Sequence, residues 1–279
     1  YQHRVDYVLI DTYSTHNFYY ALIISQLCRV FKKPYIPNLN GGNLPARLDM
    51  HPFMSSLIFK YAYTNVSPSP FLQHAFESYG YSNVNYIPNT IEIKYYDYMK
   101  KNPKQLNLLW VRSFSKIYNP ILGVKVLNKL IDKGYAAELC MVGPDADGSL
   151  KMVNDFAKNS GVNVRFTGKL TKREWITAAK EYSIFINTTN FDNTPVSVIE
   201  AMALGLPVVS TNVGGMPYLI THEIDGLLVE PDDVEQMVDA ILELYNNEIL
   251  AETIASNARQ KVEQFDWEVV KHQWFEILS

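Results

Sequence analysis

The sequence predicts an α/β protein with parallel sheets, divided into two domains. Short apolar runs such as LNLLWV (106–111) and IFIN (184–187) alternate with segments of helical spacing such as 17–31 and 121–130. The stretch 184–215, IFINTTNFDNTPVSVIEAMALGLPVVSTNVGG, condenses that pattern into one strand–loop–helix–strand unit, the hallmark of a parallel sheet. A length of 279 residues exceeds the common size of a single domain.

Within that stretch, Ile184–Asn187 reads as a buried strand and 190–194 as a polar loop. Thr194 is placed to cap a helix over 195–204 with Pro195 at its first position. Gly205 stops the helix, and 208–210 is the next strand before the Gly214-Gly215 turn. In an open parallel sheet, ligands bind outside the carboxyl ends of the strands, where this loop sits. Asp192 and Glu200 are spaced to face one cleft. The amides of Val196 and Ser197 form an anion site at the helix start. Amides for a phosphate, beside carboxylates for hydroxyls, suit a phosphorylated sugar.

The N-terminal part carries strands at 5–11, 34–39, 65–69 and 84–87, with helices at 17–31, 54–62 and 71–79 between them and a turn at Asn40–Pro45. Four strands are half of a Rossmann-like domain. From 106 the chain continues with strands at 106–111, 138–142, 162–167, 184–187, 208–210 and 226–229. Helices are read at 121–130, 150–159, 172–181, 195–204, 216–220, 233–244 and 249–264, and a last one reaches Leu278. Arg112 and Lys116 follow the strand 106–111. Cations there, beside a helix start at Asn119-Pro120, suit a diphosphate. Asp145 and Asp147 lie in a Gly/Pro turn and read as turn and cap residues, not metal ligands.

Composition narrows the function. The chain is 47% hydrophobic and 19% charged with a net charge of −4, which argues against nucleic acid as a partner. Its two cysteines, Cys28 and Cys140, lie in apolar segments and read as buried free thiols of a reducing compartment. No run approaches the roughly 18 apolar residues of a membrane span. No G-x-S-x-G, G-x-G-x-x-G or metal-ligand spacing of histidines occurs. The 19 tyrosines, mostly in the first hundred positions, read as a core rim.

The stretch 192–215 resembles the donor-site signature of retaining GT-B glycosyltransferases of family 4, glycosyl transferases group 1. The matching residues are Asp192, Glu200, Ala201, Met202, Ala203, Gly205, Pro207, Val208, Val209, Gly214 and Gly215. Asp192 stands where the family usually has Glu. The resemblance implies a GT-B fold of two Rossmann-like domains, the N-terminal one truncated. It places a partial acceptor-side domain at 1–92 and a donor-binding domain at 93–264. A helix at 265–279 crosses back, and Pro88-Asn89 resembles the interdomain linker.

It also implies roles. Arg112 and Lys116 hold the donor phosphates, with Asp192 on the donor sugar as the third catalytic residue. Glu200 hydrogen-bonds the nucleotide ribose, and Gly143 admits the donor to the backbone. Val196, Ser197, Asn193 and Thr194 complete the donor site. Asn40, Gly41 and Gly42 lie on the acceptor side, with Asn40 where the family commonly has His. The donor is a nucleotide-diphosphate sugar and the acceptor a glycan or a lipid-linked glycan, with no metal or other cofactor. The location implied is cytoplasmic, with possible peripheral membrane contact through the absent N-terminal part. A nucleotide-sugar-binding module without turnover, or an epimerase on the same fold, stands as the alternative.

Overall fold

The computed structural model describes residues 5–279, which cluster into two units. Unit 1 comprises the chain up to Thr90 with Asp192–Thr194 and Glu268–Ser279, and unit 2 comprises Ile91–Phe191 and Pro195–Trp267.

Unit 1 runs β1 (Val8–Thr12), α1 (Asn17–Val30), β2 (Tyr35–Leu39), α2 (Leu44–Met50), α3 (Pro52–Phe59), β3 (Asn65–Ser67), α4 (Pro70–Ser78) and β4 (Val84–Tyr86). The strands form one parallel sheet in the order β1-β2-β3-β4, with Val8 beside Tyr35 and Ser67 beside Tyr86. The turn expected at 40–45 is shorter than that, because α2 starts at Leu44. Pro45 lies in its first turn, where a missing amide hydrogen costs nothing. Ser69 caps α4 by accepting from the Leu72 amide, with Pro70 at the helix start.

Unit 2 runs β5 (Leu106–Val111), α5 (Pro120–Asp132), β6 (Ala137–Val142), α6 (Ser149–Asn159), β7 (Val164–Gly168), α7 (Lys172–Ala178) and β8 (Ile184–Asn187). It continues through α8 (Val196–Ala203), β9 (Val208–Thr211), α9 (Met216–Leu219), β10 (Leu227–Val229), α10 (Val234–Asn246) and α11 (Glu248–Val262). The final helix, α12 (Trp267–Leu278), belongs to unit 1 from Glu268 onward. The sheet of unit 2 is parallel in the order β10-β9-β8-β5-β6-β7. The chain builds outward from β5 through β6 and β7, then returns to lay β8 on the other side of β5. That reversal is a topological switch point, where the loops leaving β5 and β8 diverge and open a crevice.

Alternation along the strands feeds two cores in unit 2. Leu108, Trp110, Met141 and Ile186 face α5, α6 and α10, while Leu109, Cys140, Phe185 and Val208 face α7, α8 and α11. Strands buried on both faces are continuous apolar runs, which is why 106–111 and 184–187 were legible as such. Both cysteines are buried free thiols. Among the described residues, no helix is long and apolar enough to cross a membrane.

Candidate active site

At the carboxyl end of the unit 2 sheet lies a cavity of 440 Å3. Arg112, Ser113 and Tyr118 line it from the loop after β5, and Gly143 and Pro144 from the loop after β6. Lys169, Leu170 and Trp175 form a further wall, and Ser197 enters from the first turn of α8. This is the crevice that the strand order requires. A larger groove of 690 Å3 opens at the amino ends of β5, β6 and β7, around Asn107, Glu138 and Asn163. Its lining sets two acids, Glu138 and Glu181, against one cation, Arg165, which weighs against an anionic ligand.

The loop after β5 is braced on both sides. Trp110 Nε1 donates to Thr188 Oγ1 at 2.9 Å, and Thr188 donates on to the Tyr118 carbonyl at 2.8 Å. The Asn190 amide donates to the Ile117 carbonyl at 2.8 Å, so the loops after β5 and β8 are tied together. From the other side, Asp147 accepts from the Ser115 hydroxyl at 2.9 Å and the Lys116 amide at 3.0 Å. Asp145 accepts from the Gly148 and Leu150 amides at the start of α6. Both acids therefore act as turn and cap residues. Among the described residues, no group of three or more His, Cys, Asp or Glu is arranged to hold a metal ion.

The Arg112 guanidinium stacks on the Tyr118 ring, 4.1 Å from its centroid, a contact that presents its plane in a fixed orientation. Burial pulls its pKa below the ordinary value, which leaves an arginine charged but poorly hydrated and favours an anionic partner. Lys116 is exposed and is not among the cavity's lining residues. Gly143 is required by the protein itself. At φ +152° a Cβ there would stand 1.8 Å from the Arg112 carbonyl oxygen, so only glycine lets these two loops touch.

Helix α8 starts one residue later than expected. Pro195 occupies the N-cap with an extended backbone, and no side chain caps the helix. Thr194 is not the cap, because its hydroxyl is turned to the Pro68 carbonyl at 3.3 Å. The leading amides at Val196 and Ser197 are therefore left to a ligand by helix geometry. Ser197 Oγ is buried in the cavity wall without a hydrogen-bond partner among the described residues. The helix ends at Ala203 with Leu204 as its C-cap, and the Leu206 amide reaches back to the Ala201 carbonyl at 3.0 Å.

Glu200 lies one turn beyond Ser197 on α8, on the same side of the helix, and is only 3% exposed. A carboxylate so buried needs donors. Tyr96 Oη donates to Glu200 Oε1 at 2.7 Å, and Lys172 Nζ pairs with the same oxygen. Burial, with the Glu92 charge adding to it, raises the Tyr96 phenol to about 12, so it stays a donor at any physiological pH. Neither Tyr96 nor Lys172 is visible from the sequence, where they stand 104 and 28 residues from Glu200.

The other expected site residues belong to unit 1. Asp192 Oδ1 accepts from the Asn193 amide at 2.8 Å. Asn193 and Thr194 are buried and used as braces: Ser69 Oγ donates to Asn193 Oδ1, and Asn89 Nδ2 donates to the Thr194 carbonyl at 2.9 Å. Asn40 Nδ2 donates to Asp11 Oδ1 at 2.8 Å, a partner that sequence reasoning did not supply. At Gly41 a Cβ would lie 2.6 Å from the Ser14 amide nitrogen, so the turn after β2 packs backbone to backbone. Gly42 follows in the turn that leads into α2.

The geometry has solved counterparts. Anabaena HepE in complex with UDP-glucose superposes with a TM-score of 0.85 at 18% identity, covering 98% of this chain and 78% of that one. This likeness identifies the fold as GT-B. In sequence, the chain is 31% identical over 148 residues to the sulfoquinovosyl transferase SQD2 of Arabidopsis thaliana, 52% of this chain and 28% of that protein. It is 27% identical over 160 residues to the poly(ribitol-phosphate) alpha-N-acetylglucosaminyltransferase of Staphylococcus aureus strain COL, 56% of this chain and 32% of that protein. The chain thus matches about a third or less of the length of these curated relatives. The family profile of glycosyl transferases group 1 matches residues 97–261, more than half of the 279, and the chain belongs to that family.

Proposed function

We propose that this chain carries the donor site of a retaining glycosyltransferase of family 4, which moves a sugar from a nucleotide-diphosphate sugar to a glycan or lipid-linked acceptor. The observation that carries this reading is the 440 Å3 cavity at the switch point. It gathers a half-buried, stacked arginine and a serine hydroxyl without a partner among the described residues, at an uncapped helix start. That is a pocket for a diphosphate.

In the proposed reaction the bond between the anomeric carbon and the diphosphate oxygen breaks, and the acceptor oxygen bonds to that carbon from the same face. The acceptor's proton passes to the departing phosphate oxygen. Arg112, Lys116 and the Val196 and Ser197 amides stabilise the negative charge that gathers on the diphosphate. Glu200 takes the ribose hydroxyls, and Asp192 takes hydroxyls of the donor sugar. Asn40 serves the acceptor side as a hydrogen-bonding group that carries no proton charge. HepE was solved with UDP-glucose, so a uridine nucleotide is the first donor to try.

Calorimetric titration with UDP, GDP and ADP, alongside Glu200→Ala, tests the assignment. One nucleotide should bind, and the substitution should weaken it about ten-fold or more, the worth of a hydrogen bond to a charged group. Equal binding by the folded Glu200→Ala protein would refute the ribose role.

A further inference from the structure

Two donors converge on a single oxygen of Glu200. Tyr96 and Lys172 both take Oε1, and no protein group among the described residues is hydrogen-bonded to Oε2. A carboxylate held this way can offer its second oxygen in only one direction. The root of Lys172 is equally fixed. It is the first residue of α7, directly after Thr171, which forms a reciprocal cap with Glu174: the Thr171 amide donates to Glu174 Oε2 at 2.8 Å and the Glu174 amide donates to Thr171 Oγ1 at 3.3 Å. One helical turn on, Trp175 lines the cavity, as do Lys169 and Leu170 just before the cap. The pair Lys172–Glu200 therefore ties the wall 169–175 to α8, the helix whose start carries Ser197.

We infer that Lys172 is a positioning residue for the nucleotide end of the donor. It compensates the charge of the buried carboxylate, occupies Oε1, and thereby points Oε2 at the ribose hydroxyls while holding the two walls of the pocket together. The inference rests on the reading of Glu200 as the ribose ligand. Tyr96 alone does not do this, because a neutral phenol orients a carboxylate without compensating its charge. None of the other cations nearby is bonded to Glu200 among the described residues. Arg259, on α11, donates to the Tyr96 and Ala203 carbonyls at 2.6 and 2.7 Å, while Arg112 and Lys169 line the cavity. Burial pulls the Lys172 ammonium below its ordinary pKa, while its ion pair with Glu200 fixes where that charge sits.

The test compares UDP with 2′-deoxy-UDP and 3′-deoxy-UDP by calorimetry from pH 5 to 8, on the wild-type chain and on Lys172→Met, Lys172→Arg and Glu200→Gln, with circular dichroism confirming that each is folded. The wild type should prefer UDP over at least one deoxy analogue by about ten-fold or more, a ratio that stays flat across the pH range because the titration of the terminal phosphate near pH 6 is common to UDP and its analogues. Glu200→Gln should erase the preference at every pH. Lys172→Met should lose most of it, and what preference remains should shrink toward pH 5, as the uncompensated carboxyl takes up a proton. Lys172→Arg should restore both the preference and the flat profile. A folded Lys172→Met protein that keeps the preference and the flat profile overturns the inference while leaving the role of Glu200 intact. If neither the wild type nor Glu200→Gln distinguishes the analogues, the ribose reading itself fails and the inference falls with it.

Discussion

The two units spend their apolar residues differently. In unit 2 the central strands β5 and β8 are sandwiched between two helical layers, and each face of the sheet feeds its own core. In unit 1 one face of the sheet packs on α1, α3 and α4, but the core on the other face is small, formed by Ile36, Val66 and Ile87 against Val270 of α12. Two apolar surfaces of unit 1 stay open. Leu9 on the edge strand β1 is 56% exposed, and α1 buries Phe18, Ala21 and Cys28 while Tyr20, Ile23, Leu27 and Val30 point outward. The amphipathic rule that a helix has one apolar stripe facing its core holds for α5 and α10 and fails for α1, which has two. An apolar pattern reports how much surface a chain wants to bury, not which of it the fold covers.

The largest effect that would test this contrast lies at Trp110 in unit 2. Its ring is fully buried against Phe114, and its indole nitrogen donates to Thr188, so one side chain supports both the core and the loops that form the cavity. Trp110→Ala should destabilise the fold by about 3–5 kcal/mol, the usual cost of removing a large buried aromatic. Urea unfolding followed by circular dichroism measures it. A loss below about 1 kcal/mol would mean that the unit 2 core is not the close-packed layer described.

How much of this was legible in the sequence depends on the range of the interactions. The strand–loop–helix–strand unit at 184–215 is built from neighbours, and its strands, its stop at Gly205 and its turn at 214–215 all lie where reading placed them. Asp145 and Asp147 were also readable as turn residues, because Gly and Pro flank them. Asp147's reach to Ser115 and Lys116, 32 and 31 residues away, was not readable. Proline signals a turn and a helix start equally, so the turn read at 40–45 includes the first two residues of α2, Leu44 and Pro45, and 46–50 carry no helical reading. The partners of Glu200 came from α7 and from the segment before β5. An acid on an apolar helix demands a cation, but no spacing rule says which one. Thr194 fits the preference for an N-cap, yet a long-range hydrogen bond to Pro68 outweighs the local one.

Asp147 offers an intermediate effect and a pH signature. The Ser149 hydroxyl first, then the Lys116 amide and the Ser115 hydroxyl, pull its carboxyl from 3.8 down to about 2. A folded-state pKa below the unfolded one adds stability that is complete above about pH 3.8 and is lost as the pH falls toward 2. Asp147→Asn should remove that acid-range contribution and leave the unfolding midpoint flatter between pH 4 and 2, read from thermal melts at each pH. It should also weaken nucleotide binding several-fold at neutral pH, because the loop that carries Lys116 loses its brace. An unchanged affinity would detach the Asp145–Asp147 turn from the donor site and leave it a local cap only.

The smallest effect is expected on the open face of unit 1. Ile23 is 56% exposed on α1, and lysine has a higher helix propensity than isoleucine. Ile23→Lys should therefore change the unfolding free energy by no more than about 0.5 kcal/mol, the range of surface substitutions, while raising solubility. The same urea titration as for Trp110→Ala decides it, and the two results bound the contrast between the units. A cost above about 2 kcal/mol at Ile23 would show that the outer face of α1 is covered in solution, by a second copy of this chain if the midpoint also rises with protein concentration. The excess of apolar surface in unit 1 would then be an interface already in use.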